Sequence, residues 1–396
     1  MRRSNMPVLK GFNTKAVHEG ELEDPRFGNV VTPVFLSSTF LYPNLHPEPY
    51  LDHTRGEPFL YTRWGNPTVQ SFEVKYASLE GASHALAFSS GMAAIAAAIL
   101  SRVKAGDRIL SISELYGQTF HLFAHFLPKF GVKVEFTEVE RLNSLEVERG
   151  EWRMIYLESV TNPLLKVTDV RGICQFAEEQ GIQVVVDATF PSPYNQRPLE
   201  LGANTVLHSV TKYISGHSDV VMGVVGTNDR STFNDLINLR KDLGASPDPH
   251  QAYLALRGVK TLGLRMERHN QNALAVAKLL RESPKVRSVY YPGLEDSPFH
   301  GVAKRNLRGF GGMVSFEVRD EDCARKFLRS LRIPKVAASL GGVESLITRP
   351  VETSHSSLTE EERRRFGISG ALIRFSAGIE DQEDLLEDFK GALESC

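Results

Sequence analysis

Cysteine is scarce in this chain, and the few present are poorly placed for chemistry. Cys174, Cys323 and Cys396 are the only three in 396 residues, far apart and in no metal-ligand spacing. That excludes a disulfide-stapled scaffold and a thiolate zinc site, and it leads us to expect reduced thiols in a cytoplasmic protein. An excess of one charge is also lacking. The 46 basic and 48 acidic residues are interspersed and leave a formal charge of −2, so no broad basic surface for nucleic acid or membrane is expected. Long hydrophobic runs are missing: the longest, Met92 to Leu100, is alanine-rich and too short to span a bilayer. The first residues, Met1-Arg2-Arg3-Ser4-Asn5, lack the apolar core of a secretory signal. Familiar signatures are absent too. The 12 histidines form no H-E-x-x-H metal pattern, G-x-S-x-G does not occur, and no G-x-G-x-x-G follows a strand. Zinc hydrolysis, an elbow-serine hydrolase and a dinucleotide site are thereby disfavoured.

What is present reads as a two-domain α/β protein, and 41% hydrophobic residues suit a globular chain of this length. Residues 1–60 hold Pro25, Pro33, Pro43, Pro47, Pro49 and Pro58 with little periodicity, which reads as an extended arm lying on a neighbouring subunit. From about residue 68 helices and strands alternate. Val69 to Glu80 is helical and stops at Gly81, and Met92 to Leu100 is a second helix. Arg108 to Ile112, Val132 to Phe136, Met154 to Leu157, Ile182 to Val186 and Thr205 to Leu207 are short β-type runs. Thr168-Asp169 caps a helix ending at Gly181. Val220 to Val225 is a further apolar run. Continuous rather than alternating apolar strands mean a sheet covered on both faces, hence a mostly parallel one. Residues 61–249 therefore form an α/β domain. After a break at Pro247-Asp248-Pro249-His250, residues 250–396 form a smaller α+β domain. It carries a long helical stretch through Leu280, strands at Val286 to Tyr290, Met313 to Val318 and Leu372 to Phe375, helices at Glu321 to Arg329 and Glu383 to Leu393, and a capping box at Thr359 and Glu362.

The chemistry centres on His208-Ser209-Val210-Thr211-Lys212-Tyr213. A lysine between two buried strands is costly unless it is paired or chemically consumed. Desolvation favours its neutral, nucleophilic amine, which condenses with aldehydes. Ser209 and Thr211 are placed to donate to a phosphate, and pyridoxal 5'-phosphate (PLP) supplies both aldehyde and phosphate. Ser89-Ser90-Gly91-Met92 opens an alanine-rich helix whose first amides favour an anion, although a plain capping turn reads the same way. Asp187 ends an apolar strand, where an open α/β sheet puts its ligand. There it is either a partner for a pyridine nitrogen or an ordinary loop acid. Tyr116 at a strand-to-helix junction either packs there or stacks on a flat ring and, with a lowered pKa, moves protons. Tyr61 and Arg63, two apart in extended chain, clamp a phosphate or simply pack. Arg374, between apolar residues, is a solvent-face residue or a fork for a carboxylate, with the Ser339-Leu340-Gly341-Gly342 turn as its companion.

Seven motifs in order resemble one family: Tyr61-x-Arg63-x-Gly65-Asn66-Pro67-Thr68, Ser89-Ser90-Gly91-Met92, Tyr116-Gly117, Glu158-Ser159-x-Thr161-Asn162-Pro163, Val186-Asp187-x-Thr189-Phe190, His208-Ser209-x-Thr211-Lys212-Tyr213 and Ser339-Leu340-Gly341-Gly342-x-Glu344-Ser345. From about Phe12 onward the chain is similar to the PLP enzymes of Cys/Met metabolism: cystathionine γ-lyase and γ-synthase, methionine γ-lyase and the O-acylhomoserine sulfhydrylases. The resemblance implies the PLP-dependent transferase-like fold (aspartate aminotransferase fold type I). By the same resemblance Lys212 attaches the cofactor and shuttles protons, and Asp187 pairs with its pyridinium. Ser209, Thr211, Gly91 and Met92 hold the phosphate, with Tyr61 and Arg63 from the adjacent subunit. Tyr116 stacks on the ring and assists the leaving group, Asn162 lies near the phenolic oxygen, and Arg374 and Ser339 bind the substrate carboxylate. A homotetramer of tight dimers is implied, with an amino-acid substrate and no metal.

The chain departs from the family at Val160, Ala188, Pro191-Ser192 and Gln118. Lys241-Asp242 resembles the methionine γ-lyases, and Gly341-Gly342 the cystathionine enzymes. The expected reaction is γ-elimination giving 2-oxobutanoate and ammonia, with γ-replacement as the alternative and β-elimination behind both. An aminotransferase-like or inert PLP binder on the same fold, and a cofactor-free interaction module, are the readings from other classes.

Overall fold

Short apolar runs between residues 84 and 227 pair into one seven-stranded sheet. Its strands are β1 (His84–Phe88), β2 (Arg108–Ile112), β3 (Lys133–Thr137), β4 (Met154–Glu158), β5 (Gln183–Asp187), β6 (Thr205–Ser209) and β7 (Gly223–Thr227). The spatial order is β1-β7-β6-β5-β4-β2-β3. Only β7 runs against its neighbours, pairing antiparallel with β1 and β6, while the other pairs are parallel. A computed structural model describes residues 9–42, 51–52, 57–147, 150–356 and 359–396. Met1 to Asn5 and Pro43, Pro47 and Pro49, which enter the leader and arm readings, lie outside the described residues.

The continuous apolar strands are covered on both faces, as expected. Val184, Val185 and Val186 of β5 are buried in one core with Ile95, Ile99 and Ile173, while Ala85 and Ala87 of β1 and Val224 of β7 belong to a second core with Phe72, Tyr76 and Leu256. Full burial of such a side chain contributes roughly 1.5–3 kcal/mol. Helix Pro67–Glu80 starts on Asn66, whose side chain accepts the Thr68 N–H, and stops at Gly81 in the left-handed region. Thr68 also ties the arm down: its hydroxyl accepts the Phe35 N–H at 2.9 Å and donates to the Pro33 carbonyl at 2.8 Å.

A second sheet has the order β8-β9-β12-β11-β10, from β8 (Val286–Tyr290), β9 (Met313–Val318), β10 (Lys335–Val336), β11 (Leu346–Thr348) and β12 (Leu372–Ser376). Helix Leu262–Glu282 joins the two sheets: Leu262 and Met266 sit in the core of the large one, Ala273 and Val276 in that of the small one. The long helical stretch expected after Pro249 is interrupted, since helix Pro249–Val259 ends before Leu262. Thr359 and Glu362 do form a capping box.

One strand went unread and two expectations are corrected. Strand β1 gives little sign of itself, because His84-Ala85-Leu86-Ala87-Phe88 is poor in β-branched residues. The run at Val220 does not begin a strand: Met222 exchanges hydrogen bonds with the Thr211 hydroxyl, and β7 starts only at Gly223. Cys323 and Cys396 are not reduced thiols but a disulfide. Helices Glu321–Ser330 and Gln382–Glu394 share one core, through Phe327 and Phe389 among others, and that packing brings two cysteines 73 residues apart to a Cα–Cα distance of 4.9 Å. Sequence separation carries no information about such a meeting. Cys174 is free and buried.

Candidate active site

The carboxyl ends of β2, β4, β5 and β6 face the small sheet, and the predicted residues gather there. Lys212 lies in the turn after β6. Its Nζ donates to Ser339 Oγ at 2.7 Å, and the Ser339 carbonyl accepts from Arg374 at 3.1 Å. Ser339 has φ +81°, a backbone conformation rare outside glycine, and it presents hydroxyl and carbonyl to two cations at once. Arg374, in the middle of β12, also donates to Asn162 Oδ1 at 3.0 Å. Its guanidinium is buried, and the partners it has among the described residues are neutral oxygens, not carboxylates. Burial pulls its pKa to about 10. Burial, helped by the Arg374 charge, pulls the Lys212 amine down to about 8.

Asn162 is carried by a loop between the sheets. The Asn162–Pro163 peptide is cis, and Ser315 of β9 donates to the Pro163 carbonyl at 2.6 Å. The loop is pinched by a bridge between Val160 and Val167. Its hydrogen bonds use the Thr161 and Thr168 amides, so valine in place of the family's proline at 160 leaves them intact.

Asp187 ends β5, and its Oδ1 accepts the Thr189 N–H at 2.9 Å. Burial raises its pKa, with the Thr189 hydrogen bonds opposing. On the far side of β6, helix Gly91–Leu100 aims its amino terminus at Ser209. A Cβ at residue 91 would lie 2.9 Å from Ser209 Oγ, so glycine keeps open a small cradle between helix amides and a hydroxyl, which suits a phosphate. Met92 begins that helix, capped by Ser90. The Thr211 hydroxyl is engaged by Met222. A phosphate cradle, a neutralisable amine and a strand-end carboxylate together fit pyridoxal phosphate.

Tyr116 stands between β2 and a short helix, 38% exposed. The lowered pKa that ready proton transfer calls for is not what this environment gives: burial raises it, with only Arg374 pulling the other way. Tyr61 and Arg63 are not brought to Lys212 within one chain. Arg63 donates to the Lys241 carbonyl and lies 5.5 Å over the Tyr61 ring.

Sequence reasoning missed three residues. Arg265, buried, donates to the Tyr213 carbonyl at 2.6 Å, the Ile214 carbonyl at 3.2 Å and the Gly258 carbonyl at 2.9 Å, and so holds the turn just after Lys212. Its signal is an arginine on the apolar stripe of Leu262, Met266 and His269. Buried His355 lies 3.3 Å from the Leu115 carbonyl, its pKa brought to about 4 chiefly by burial. Glu158, quoted within a motif but given no task, accepts the Tyr116 N–H at 2.6 Å.

Comparison with known proteins finds relatives along almost the whole chain. Residues 13–394 match the family described as Cys/Met metabolism PLP-dependent enzyme. A Dictyostelium discoideum protein named cystathionine gamma-lyase is 44% identical over 97% of this chain and 98% of its own. A Lactococcus lactis protein named cystathionine beta-lyase is 42% identical over 98% of this chain and 100% of its own. The crystal structure of cystathionine gamma synthase from Xanthomonas oryzae in complex with cystathionine superposes with a TM-score of 0.92 at 37% identity, covering 98% of this chain and 99% of that one.

Proposed function

This chain belongs to the PLP-dependent enzymes of Cys/Met metabolism, and from that premise we propose that it eliminates a thiol from the γ-carbon of a sulfur amino acid. Water completes the balance, giving 2-oxobutanoate, ammonia and the thiol. One observation carries the reading. Ser339 bridges the Lys212 amine and a buried guanidinium that has no carboxylate partner among the described residues; the guanidinium suits a substrate carboxylate, and the amine marks where the substrate's amino group would meet the cofactor. When bound, pyridoxal phosphate supplies the electron sink that acidifies the substrate's Cα–H and Cβ–H.

The rest falls to this chain's own side chains. Lys212 would hold the cofactor, and its free amine is the base that would take the Cα proton and return protons to the carbon chain. Asp187 would keep the ring nitrogen charged, and Gly91, Met92 and Ser209 would hold the phosphate, joined by Thr211 once its hydroxyl turns from the Met222 carbonyl. Arg374 and Ser339 seat the substrate carboxylate, with Asn162 orienting the fork. Tyr116 covers the ring and, protonated at neutral pH, offers its hydroxyl to a departing thiolate, although burial makes that hydroxyl a weaker acid than a free phenol.

The relatives are named for γ-elimination, β-elimination and γ-replacement, so products decide. Pure protein incubated with cystathionine or methionine is expected to release 2-oxobutanoate. Pyruvate from cystathionine would instead mean β-elimination. Cystathionine formed from cysteine and an O-acylhomoserine, without 2-oxobutanoate from either thioether, would mean γ-replacement.

We further read the molecule as a homotetramer in which Tyr61 and Arg63 serve the neighbouring subunit's phosphate. The arm supports this: Phe27, Val30, Leu36, Leu41 and Tyr42 are 66% or more exposed, apolar surface that a second copy covers. Light scattering should give about four times 44.1 kDa, and a monomer at micromolar concentration would contradict it. No described helix is long and apolar enough to cross a membrane. We place the protein in the cytoplasm, where the Cys323–Cys396 bond is the feature at odds with a reducing compartment.

A further inference from the structure

Two of the loops that build the site, those of Tyr116 and Asn162, come from different strands and meet on one side chain. Glu158 is the last residue of β4 and is 5% exposed. Its Oε1 accepts the Tyr116 N–H at 2.6 Å, and the Asn162 N–H also reaches its carboxyl. We propose that Glu158 is a positioning residue of this site, fixing with one carboxyl both the ring that covers the cofactor and the amide that orients Arg374. This rests on the reading of the site given above, but no part of that reading assigns Glu158 a task.

The geometry favours a role beyond packing. A second tether joins the same two loops from outside, where Lys166 Nζ meets Glu114 Oε1 at 2.6 Å and Glu140 Oε1 at 2.9 Å. Glu140 is half exposed and its bond contributes little, but Glu114 is 8% exposed, so this tether shares with Glu158 the task of holding the loops. The Glu158 contacts are buried, and an amide left without its acceptor there costs about 1–3 kcal/mol. Losing them frees Tyr116 and Asn162 together.

The surroundings also specify which form of Glu158 serves. In the β4–β5 register it lies directly opposite Asp187. Buried Tyr156, on the same strand, offers no positive charge, and Arg374 is engaged by Asn162 and Ser339. Burial first, and then the Asp187 charge, push the Glu158 pKa well up. Burial raises the Asp187 carboxyl too, and of the two it is Asp187 that a ring nitrogen would need charged, which assigns the proton of this pair to Glu158. An uncharged acceptor of the same shape should therefore replace it.

The test compares Glu158→Gln, Glu158→Ala and wild-type protein, each loaded with pyridoxal phosphate. The readouts are the visible circular dichroism of the bound cofactor, kcat and KM separately, and thermal stability. Glu158→Gln is expected to keep the dichroic band and to hold kcat/KM within about threefold of wild type. Glu158→Ala should lose most of the band and about 100-fold in kcat/KM, at a temperature where it is still folded, because a misplaced ring and amide cost that much. A merely structural role would lower the melting temperature and leave the band and kcat alone. Glu158→Gln falling as far as Glu158→Ala would show that the charge is needed and overturn the proposal. So would a Glu158→Ala enzyme with an unchanged band and kcat. If Glu158→Ala does not fold, Glu158→Gln alone decides, a loss beyond about tenfold counting against us. Wild-type protein that shows no cofactor absorbance would instead sink the reading of the site itself.

Discussion

Replacing Lys212 with alanine is expected to abolish turnover and the visible absorbance of the bound cofactor in one step. The side chain has two tasks, and no neighbour shares them. It is the nucleophile that anchors the aldehyde, and it is the base beside Cα. Positioned proton transfer alone contributes about 10²–10⁴-fold, so losing the anchor as well should leave less than about one part in 10⁴ of the wild-type rate. Lys212→Arg should do no better, because a guanidinium stays protonated and cannot attack. Measurable turnover in Lys212→Ala would contradict the assignment. The titration of the same amine is informative. Burial, aided by Arg374, brings its pKa from the ordinary 10.5 to about 8. Below that pH the amine is mostly charged and inert, and above it mostly free. Capture of pyridoxal phosphate by cofactor-free protein should therefore accelerate as pH rises through about 8 and then level off. A rate still climbing toward pH 10.5 would mean an ordinary, solvated lysine.

How legible this site was in the sequence depends on the kind of signal. Strands whose residues are apolar on both faces, such as β5 and β6, stand out because burial on two sides demands it. The placement of Asp187 and Lys212 at strand ends then follows from chain direction. Strand β1 escaped because alanine packs well in a sheet interior without announcing a strand. The junction of Lys212, Ser339 and Arg374 spans 127 and 35 residues of sequence, and only the motif resemblance hinted that these positions meet. Arg265 and Glu158 were missed for one shared reason. Each acts on backbone groups of distant segments, and backbone groups look alike in any sequence. The disulfide belongs to the same class, because its pairing depends on two helices sharing one face of the small sheet.

Arg374→Ala should cost the enzyme its substrate and spare its cofactor. The guanidinium sits buried in β12 against two neutral acceptors, Asn162 Oδ1 and the Ser339 carbonyl. An isolated buried charge is unfavourable unless something arrives to match it. A substrate carboxylate does so, and once the arginine is gone that carboxylate would enter a dry site unpaired. Truncating one partner of such a pair costs about 2–5 kcal/mol, which is about 30- to several thousand-fold in kcat/KM. Most of the loss should appear in KM, because the fork holds substrate before and during the reaction. Arg374→Lys keeps a charge but cannot serve Asn162, Ser339 and a bidentate carboxylate from one plane, so it should fall between. Cofactor retention after gel filtration should match wild type in both variants, since the phosphate cradle at Gly91 and Ser209 lies elsewhere. Equal loss of cofactor and of substrate affinity would mean that Arg374 supports the whole site rather than binding the carboxylate. The Lys212 amine is a second reporter. With the Arg374 charge removed its pKa should rise above about 8, moving the onset of cofactor capture to higher pH. A loading profile unchanged in Arg374→Ala would show that the two cations, despite sharing Ser339, do not sense each other.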